Sequence, residues 1–279
     1  MIMVQIITDS STLYTIEQAK QEGFEAVPLC VTIGDMEGRD LHVDYDEFYD
    51  RIKKGQTPMS SQPPLGDVLD VFEKYSDDEI INISMADGLS GTYQTACSAR
   101  EMSENKERIT VVNSKTLCGP HRYMVKKAQQ MKMEGCSKEE ILEWLDYAIA
   151  HGESFLIPQD FDFLRRGGRL TPVAAALGSV LKLKPIMTLT EDCKRLDKFG
   201  IKRTMKAAVG AVIDHLKTRE LDARHLISVS HANALDDAQK AADRLKEAFP
   251  EAEIEILELS HAFITQGGPQ CVAIQYIEK

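Results

Sequence analysis

The stretch Glu79 to Glu104, EIINISMADGLSGTYQTACSAREMSE, decides the fold. Glu79 to Ser84 is a short apolar run of strand length, and Thr92 to Glu104 has a helical pattern. Between them lie Gly88-Leu89-Ser90-Gly91-Thr92. A strand, a glycine-bearing turn and a helix make one βα unit, and the same alternation continues on both sides.

Toward the N-terminus, Val4 to Thr8 is a compact apolar strand and Glu17 to Gln21 is helical. Glu25 to Leu29 and Val31 to Ile33 are extended, and Asp46 to Lys54 and Leu65 to Tyr75 are helical. Toward the C-terminus, Ile109 to Asn113 is a strand, followed by helices over His121 to Glu134 and Lys138 to His151. Ser137 with Glu140 is a capping box that starts the second of these. The pattern predicts an N-terminal α/β domain with a parallel sheet over residues 1–152.

The second half differs. Pro185 to Thr190 and Arg195 to Phe199 flank Glu191-Asp192 as a hairpin. Helices over Thr204 to Thr218 and Leu235 to Phe249 alternate with strands at Leu226 to Ser230, Glu253 to Leu259 and Cys271 to Ile277. This predicts an α+β domain over residues 153–279. The turn-rich segment Gly55 to Pro64 is expected to lie between the domains, with residues 55–76 packing with the second one.

With 279 residues the chain is long enough for two domains with sizeable cores. A formal charge of -11 disfavours nucleic acid and anionic membrane surfaces as partners. Aromatic residues are only 6%, with Trp144 the single tryptophan, so stacking platforms for single strands are scarce. Met1 to Ser11 has no basic n-region and no small-residue cleavage site. No stretch approaches the ~20 apolar residues of a membrane helix, so no stable membrane insertion is expected. The six cysteines form no CxxC pair, which favours reduced thiols and a cytoplasmic location. A monomer is the default expectation.

Several polar motifs carry the candidate chemistry. Thr8-Asp9-Ser10-Ser11 follows the first strand, where α/β sheets collect ligands, although Asp9 or a serine there also serves as a helix cap. The Gly88 to Thr92 loop opens a helix whose N–H groups and dipole favour a carboxylate or phosphate. Ser90 there is also an ordinary N-cap candidate, and no lysine follows Gly91 as in a P-loop. Ser60-Ser61-Gln62-Pro63-Pro64 sets two hydroxyls in a proline-stiffened loop, with Gln62 held extended by the proline after it. The alternative for this run is a turn leading into the Leu65 helix. Arg165-Arg166-Gly167-Gly168-Arg169 offers bidentate donors to an anionic ligand or partner, or marks a glycine-terminated helix end. Lys182 to Lys206 holds eight basic residues, Arg203 among them, against three acidic ones. Such a run steers an acidic partner or is a solvated face.

No catalytic constellation stands out. The seven histidines show no HExxH spacing, and there is no GxSxG elbow. No metal or cofactor is expected.

Taken in order, these motifs resemble the DegV family, which includes the fatty-acid carrier subunits of bacterial fatty acid kinase. The resemblance runs through TDSS at Thr8 to Ser11, SSQPP at Ser60 to Pro64 and DGLSGTYQTA at Asp87 to Ala96. It continues in VNSKTLCGP at Val112 to Pro120, FLRRGGRL at Phe163 to Leu170, LKLKPIM at Leu181 to Met187 and GGPQCVAI at Gly267 to Ile274. It implies two α/β domains with one long-chain fatty acid in a tunnel between them. It further implies a carrier, not an enzyme, that presents the acid to a separate fatty acid kinase catalytic subunit for acyl phosphate formation. By the same resemblance the carboxylate is gripped by Ser60 and Ser90, with Ser61, Gly91, Ser10, Arg169 and Gln266 near the ligand. Arg165 and Arg166 then face the kinase, and Arg203 of the basic stretch is a further candidate partner contact. Two departures stand out: Ser60 replaces a usual threonine, and Gln266 replaces a frequent histidine and does not titrate near neutral pH. The competing expectation is an enzyme acting on an acyl or phosphate ester with a Ser or Asp nucleophile.

Overall fold

In a computed structural model of the chain, Glu79–Ser84 is a strand at the centre of a parallel sheet, as its sequence predicts. The structure describes residues 3–177 and 183–279. Leu181 and Lys182, which open the LKLKPIM motif and the basic stretch, lie outside the described residues, as do Met1 and Ile2. The chain divides into two units: Met1–Ala150 with Ser260–Ala262, and His151–Leu259 with Phe263–Lys279.

The first unit contains, in order, β1 (Val4–Asp9), α1 (Ile16–Glu22), β2 (Glu25–Val27), β3 (Cys30–Ile33), β4 (Met36–Arg39) and α2 (Tyr45–Lys53). Next come β5 (Pro58–Ser61), α3 (Leu65–Lys74), β6 (Glu79–Ser84), α4 (Thr92–Met102), β7 (Ile109–Asn113), α5 (Cys118–Met133) and α6 (Lys138–Ala150). Four strands pair in parallel in the order β2-β1-β6-β7. Parallel strands covered on both faces need near-continuous apolar runs, which Ile6, Ile7, Ile80, Ile81 and Ile83 supply. On one face Ile7, Val27, Ile80 and Ile109 pack with Val68 and Phe72 of α3 and Ala96 and Ala99 of α4. α5 lies against β1, and α6 packs on α5. The capping box that starts α6 forms in both directions: Ser137 N donates to Glu140 at 2.7 Å, and Glu140 N donates to Ser137 Oγ at 3.2 Å.

β4, β3 and β5 make a separate antiparallel sheet. Neither β4 nor β5 has a clear strand signature; Pro58 and the two serines of β5 look like turn residues. The pairing with β3 overrides that preference and puts Ser60 opposite Val31 and Ser61 opposite Cys30. Residues 55–76 lie in this first unit.

The second unit contains β8 (Gly152–Ile157), α7 (Phe161–Gly167), α8 (Pro172–Ala175), β9 (Lys184–Leu189), β10 (Leu196–Lys202) and α9 (Met205–Leu216). It continues with β11 (His225–His231), α10 (Leu235–Ala248), β12 (Glu253–Glu258), α11 (His261–Gly267) and β13 (Val272–Glu278). Its six strands run β10-β9-β8-β13-β11-β12, antiparallel except for the β11–β12 pair. β9 and β10 are the hairpin predicted around Glu191-Asp192. β8, α7 and α11 had no clear sequence signature: β8 opens with Gly152-Glu153-Ser154, and α7 and α11 are only seven residues each. α9 and α10 bury Val209, Val212, Ala238 and Leu245 against Ile227, Val229 and Ile274. Phe161, Leu164, Leu170, Ala174 and Met187 form a second apolar cluster in this unit.

Two glycines test this packing with opposite signs. A Cβ at Gly152 would lie 2.7 Å from the Tyr276 carbonyl oxygen, on backbone that the β8–β13 ladder holds fixed. Gly152→Ala is predicted to destabilise the fold by about 1–3 kcal/mol. A Cβ at Gly66, in the first turn of α3, would meet nothing within 4 Å. Gly66→Ala is predicted to stabilise by about 0.5–1 kcal/mol through helix propensity. Urea unfolding followed by circular dichroism checks both; shifts of the same sign would contradict the packing described.

Candidate functional site

The carboxyl ends of β1 and β6 lie side by side, and the loops that follow them are tied by one buried carboxylate. Asp9 is 2% exposed. Its Oδ1 accepts from Ser11 N at 2.9 Å and its Oδ2 from Met85 N at 3.0 Å. Thr8 Oγ1 adds a bond to the Ile83 carbonyl at 2.8 Å. The Asn113 side chain then buttresses the glycine loop, accepting from Asp87 N at 3.2 Å and Lys115 N at 3.0 Å. The VNSKT motif thus holds the Gly88 to Thr92 loop in place from the neighbouring strand.

Ser90 sits in that loop, half-buried. Its Oγ lies 2.8 Å from Thr92 Oγ1 and accepts from Thr92 N at 3.3 Å. With Thr92 Oγ1 as the donor in that hydroxyl pair, the single O–H of Ser90 is left for a ligand oxygen. α4 starts at Gly91, an N-cap without a side chain, with no basic or acidic residue in its first turn. Such a helix start offers partial positive charge and N–H donors to an anion.

The second serine loop reaches the same place. A Cβ placed on Gly91 would lie 3.0 Å from Gln62 Oε1, 3.1 Å from Cδ and 3.4 Å from Nε2. The Ser60–Pro64 loop therefore lies against the Gly88–Thr92 loop within the first unit. Ser60 is half-buried and Ser61 exposed on β5, immediately before Gln62.

Ser10 is placed differently. It is buried, and its Oγ donates to Asp40 Oδ2 at 2.7 Å while accepting from Leu29 N at 3.1 Å. Asp40 is fully buried and also accepts from Ala262 N at 2.9 Å. Nearby, the His261 ring is stacked on Tyr45 with centroids 3.9 Å apart and packs edge-on against Phe48 at 4.9 Å. Its Nδ1 is 3.9 Å from Asp40 Oδ1, beyond hydrogen-bond reach. Burial raises the Asp40 carboxyl to about 6, against the pull of its Ala262 and Ser10 bonds. Burial lowers the His261 imidazole to about 4, against the attraction of Asp44. Neither residue has a motif in the sequence; the signal is only that a charged type and a histidine fall beside apolar runs.

His121, also without a motif, anchors the TDSS turn from α5. Its Nε2 is 3.0 Å from the Ile83 carbonyl oxygen, which only accepts, so that nitrogen carries the proton. Its Nδ1 then accepts from Ser11 Oγ at 2.6 Å. Burial holds its pKa below the usual histidine value. Ser11 is 1% exposed and His121 0%, so this serine–imidazole pair is a structural contact out of a substrate's reach. No group of three or more potential metal ligands occurs among the described residues. Among them no helix is long and apolar enough to cross a membrane.

The remaining candidates lie in the second unit. α7 ends in Gly167, with Gly168 left-handed at the C-cap. A Cβ at Gly167 would fall 1.9 Å from Gln266 Oε1, and one at Gly268 would fall 3.0 Å from Phe163. The RRGG turn and the QGGP turn therefore pack on each other. Gln266 Nε2 donates to Thr265 Oγ1 at 3.1 Å, and its Oε1 is buried with no hydrogen-bond partner among the described residues. Arg169 Nη1 bonds the Gly167 carbonyl, Arg165 pairs with Asp162 at 3.0 Å, and Arg166 lies over the Phe163 ring at 4.7 Å. Arg203 is exposed.

Comparison with known proteins gives one consistent result. The model of the family described as uncharacterised protein, DegV family, matches residues 3–279. A DegV domain-containing protein of Halalkalibacterium halodurans is 30% identical, with both chains covered over 100% of their length. The crystal structure of DegV from Bacillus subtilis, called a fatty acid binding protein, is 27% identical with a TM-score of 0.87 and full coverage of both chains. A DegV family protein from Eubacterium eligens, solved loaded with heptadecanoic acid, is 23% identical. It has a TM-score of 0.85, covers 99% of this chain and is itself covered in full.

Asp40 and His261 predict opposed pH dependences. The folded value of Asp40 lies above that of an ordinary carboxylate, so its contribution to stability is full below about pH 4 and is lost as pH rises through about 6. The folded value of His261 lies below that of an ordinary imidazole, so its contribution is full above about pH 6.5 and is lost as pH falls through about 4. Between those limits the two slopes oppose. Asp40→Asn leaves His261 unopposed, so stability relative to wild type climbs with pH by up to about 1.4 kcal/mol per pH unit. His261→Gln leaves Asp40 unopposed, and the relative stability falls with pH. Urea midpoints at half-unit pH steps check this; curves parallel to wild type for both variants would contradict the burial of the pair.

Proposed function

We propose that this chain, which belongs to the DegV family, binds one long-chain fatty acid by its carboxylate and acts as a cytoplasmic carrier. The observation that carries this is the contact of Gln62 with Gly91, which brings the Ser60–Pro64 loop onto the Gly88–Thr92 loop at the start of α4. A carboxylate withdrawn from water needs hydrogen-bond donors. Ser60 and Ser90 hydroxyls and the first N–H groups of α4 meet that need, with Ser61 and the bare Gly91 backbone beside them. Ser10 acts one step away, through Asp40 and Leu29.

The second unit supplies its own candidates for the ligand. Gln266 holds an unfilled buried oxygen against Gly167, and Arg169 is bonded to the same glycine. Most of the affinity comes from the acyl chain, at about 0.8 kcal/mol per buried CH₂. The carrier works as a monomer and hands the acid to a separate fatty acid kinase, which forms the acyl phosphate. Arg165, Arg166 and Arg203 are its docking residues. An esterase-like role for a serine is disfavoured by the burial of the Ser11–His121 contact.

Ser90→Ala is expected to weaken binding of a long-chain fatty acid by about 1–3 kcal/mol, roughly 5- to 150-fold in Kd. Isothermal titration of delipidated protein reads this directly. An unchanged Kd would remove Ser90 from the site. Mass spectrometry of lipid extracted from freshly purified protein tests the carrier role itself, which requires a bound fatty acid.

A further inference from the structure

We propose that Gln62 is the specificity-determining residue of the head-group site, its side-chain amide selecting a free carboxylate over an esterified one. This rests on the fatty-acid reading above and deepens it.

Gly91 is the starting point. Its φ of -73° and ψ of 2° are open to any residue, so backbone conformation does not call for glycine there. The Gln62 amide does: its Oε1, Cδ and Nε2 all lie within 3.0 to 3.4 Å of where a Cβ would stand. The amide thus lies flat on the glycine and fills the space that a side chain would take. Pro63 and Pro64 stiffen the chain on one side of Gln62, and the β5–β3 ladder fixes it on the other. An exposed glutamine is ordinarily mobile; this one is held in place by its backbone and by its seat on Gly91.

The amide is also uncommitted. Gln62 makes no hydrogen bond with any other described residue, although it lies against Gly91, the residue that joins Ser90 to the first turn of α4. Its Nε2 offers two N–H donors. A carboxylate beside Ser90 takes them as charge-assisted bonds, which are roughly twice as strong as neutral ones. An ester has no negative oxygen to return that energy, and its alkoxy group competes for the space the amide occupies. Hydroxyls alone accept as readily as they donate, so Ser60 and Ser90 discriminate poorly between the two head groups. The donor face of an amide makes the distinction.

The test uses the full chain, delipidated, with palmitic acid and methyl palmitate as paired probes in a titration. Gln62→Ala is expected to lower affinity for the acid about tenfold while leaving the ester nearly unchanged, so the acid-to-ester ratio narrows. Gln62→Glu sets a second carboxylate against the first. Its loss is expected to be larger and to shrink as the pH is lowered from about 8 to about 5. Gly91→Ala, by displacing the amide, reproduces the loss seen in Gln62→Ala and costs nothing more in that background. An unchanged acid-to-ester ratio in Gln62→Ala overturns the assignment, as do strictly additive effects at 62 and 91. If Gly91→Ala fails to fold, the two Gln62 variants decide alone. Loss of binding in Ser90→Ala with none in Gln62→Ala defeats this assignment and leaves the fatty-acid reading standing. A wild-type protein that binds neither probe defeats both.

Discussion

The Asp9 carboxylate is the constraint on which the first unit's site depends. It is buried at the end of β1, and its two oxygens receive the N–H groups of Ser11 and Met85. A carboxylate removed from water must find donors or be expelled. Here the donors come from the turns after two neighbouring parallel strands, so satisfying the charge fixes both turns at once. The TDSS turn then presents Ser10 to Asp40 and Ser11 to His121, and the other turn leads into the Gly88–Thr92 loop. A loop held this way does not have to be ordered at the moment a ligand binds, which lowers the entropic cost of recognition.

The charge distribution sharpens the problem an anionic ligand poses. Acidic and basic residues are equal in number in the second unit, so the whole acidic excess of the chain belongs to the first. At long range that unit repels a carboxylate. The proposed site answers with short-range neutral donors: hydroxyls, amide N–H groups and the partial charge of a helix start. Gly91 allows these donors to crowd together, because a Cβ at that position would push into Gln62. The second unit repeats the device at Gly167, where a bare backbone makes room for the amide of Gln266.

Much of the architecture was legible because it is written in local patterns. The isoleucine-rich strands, the Ser137 capping box and the hairpin around Glu191-Asp192 each carry their signal within a few residues. β5 was not legible, since Pro58 and its serines favour turns and only the ladder to β3 makes them a strand. β8, α7 and α11 are short, and their residues owe their conformation to neighbours distant in the chain. The buried ionisable groups were hidden for a related reason. Nothing local distinguishes His121 or His261 from a surface histidine; burial by remote segments gives each its altered acidity.

The sequence by itself determined the alternation of strands and helices, the parallel sheet of the first half and the polar motifs, because hydrophobic period and capping chemistry act over one or two turns of chain. It marked Ser60 and Ser90 as candidates through a family likeness spread over the whole chain. Only the tertiary structure decided that Gln62 rests on Gly91, that Ser10 is occupied by Asp40, and that Ser11 and His121 are sealed in the core. Those facts are contacts between residues tens of positions apart. Their energies depend on burial and distance, and neither quantity exists until the chain has folded.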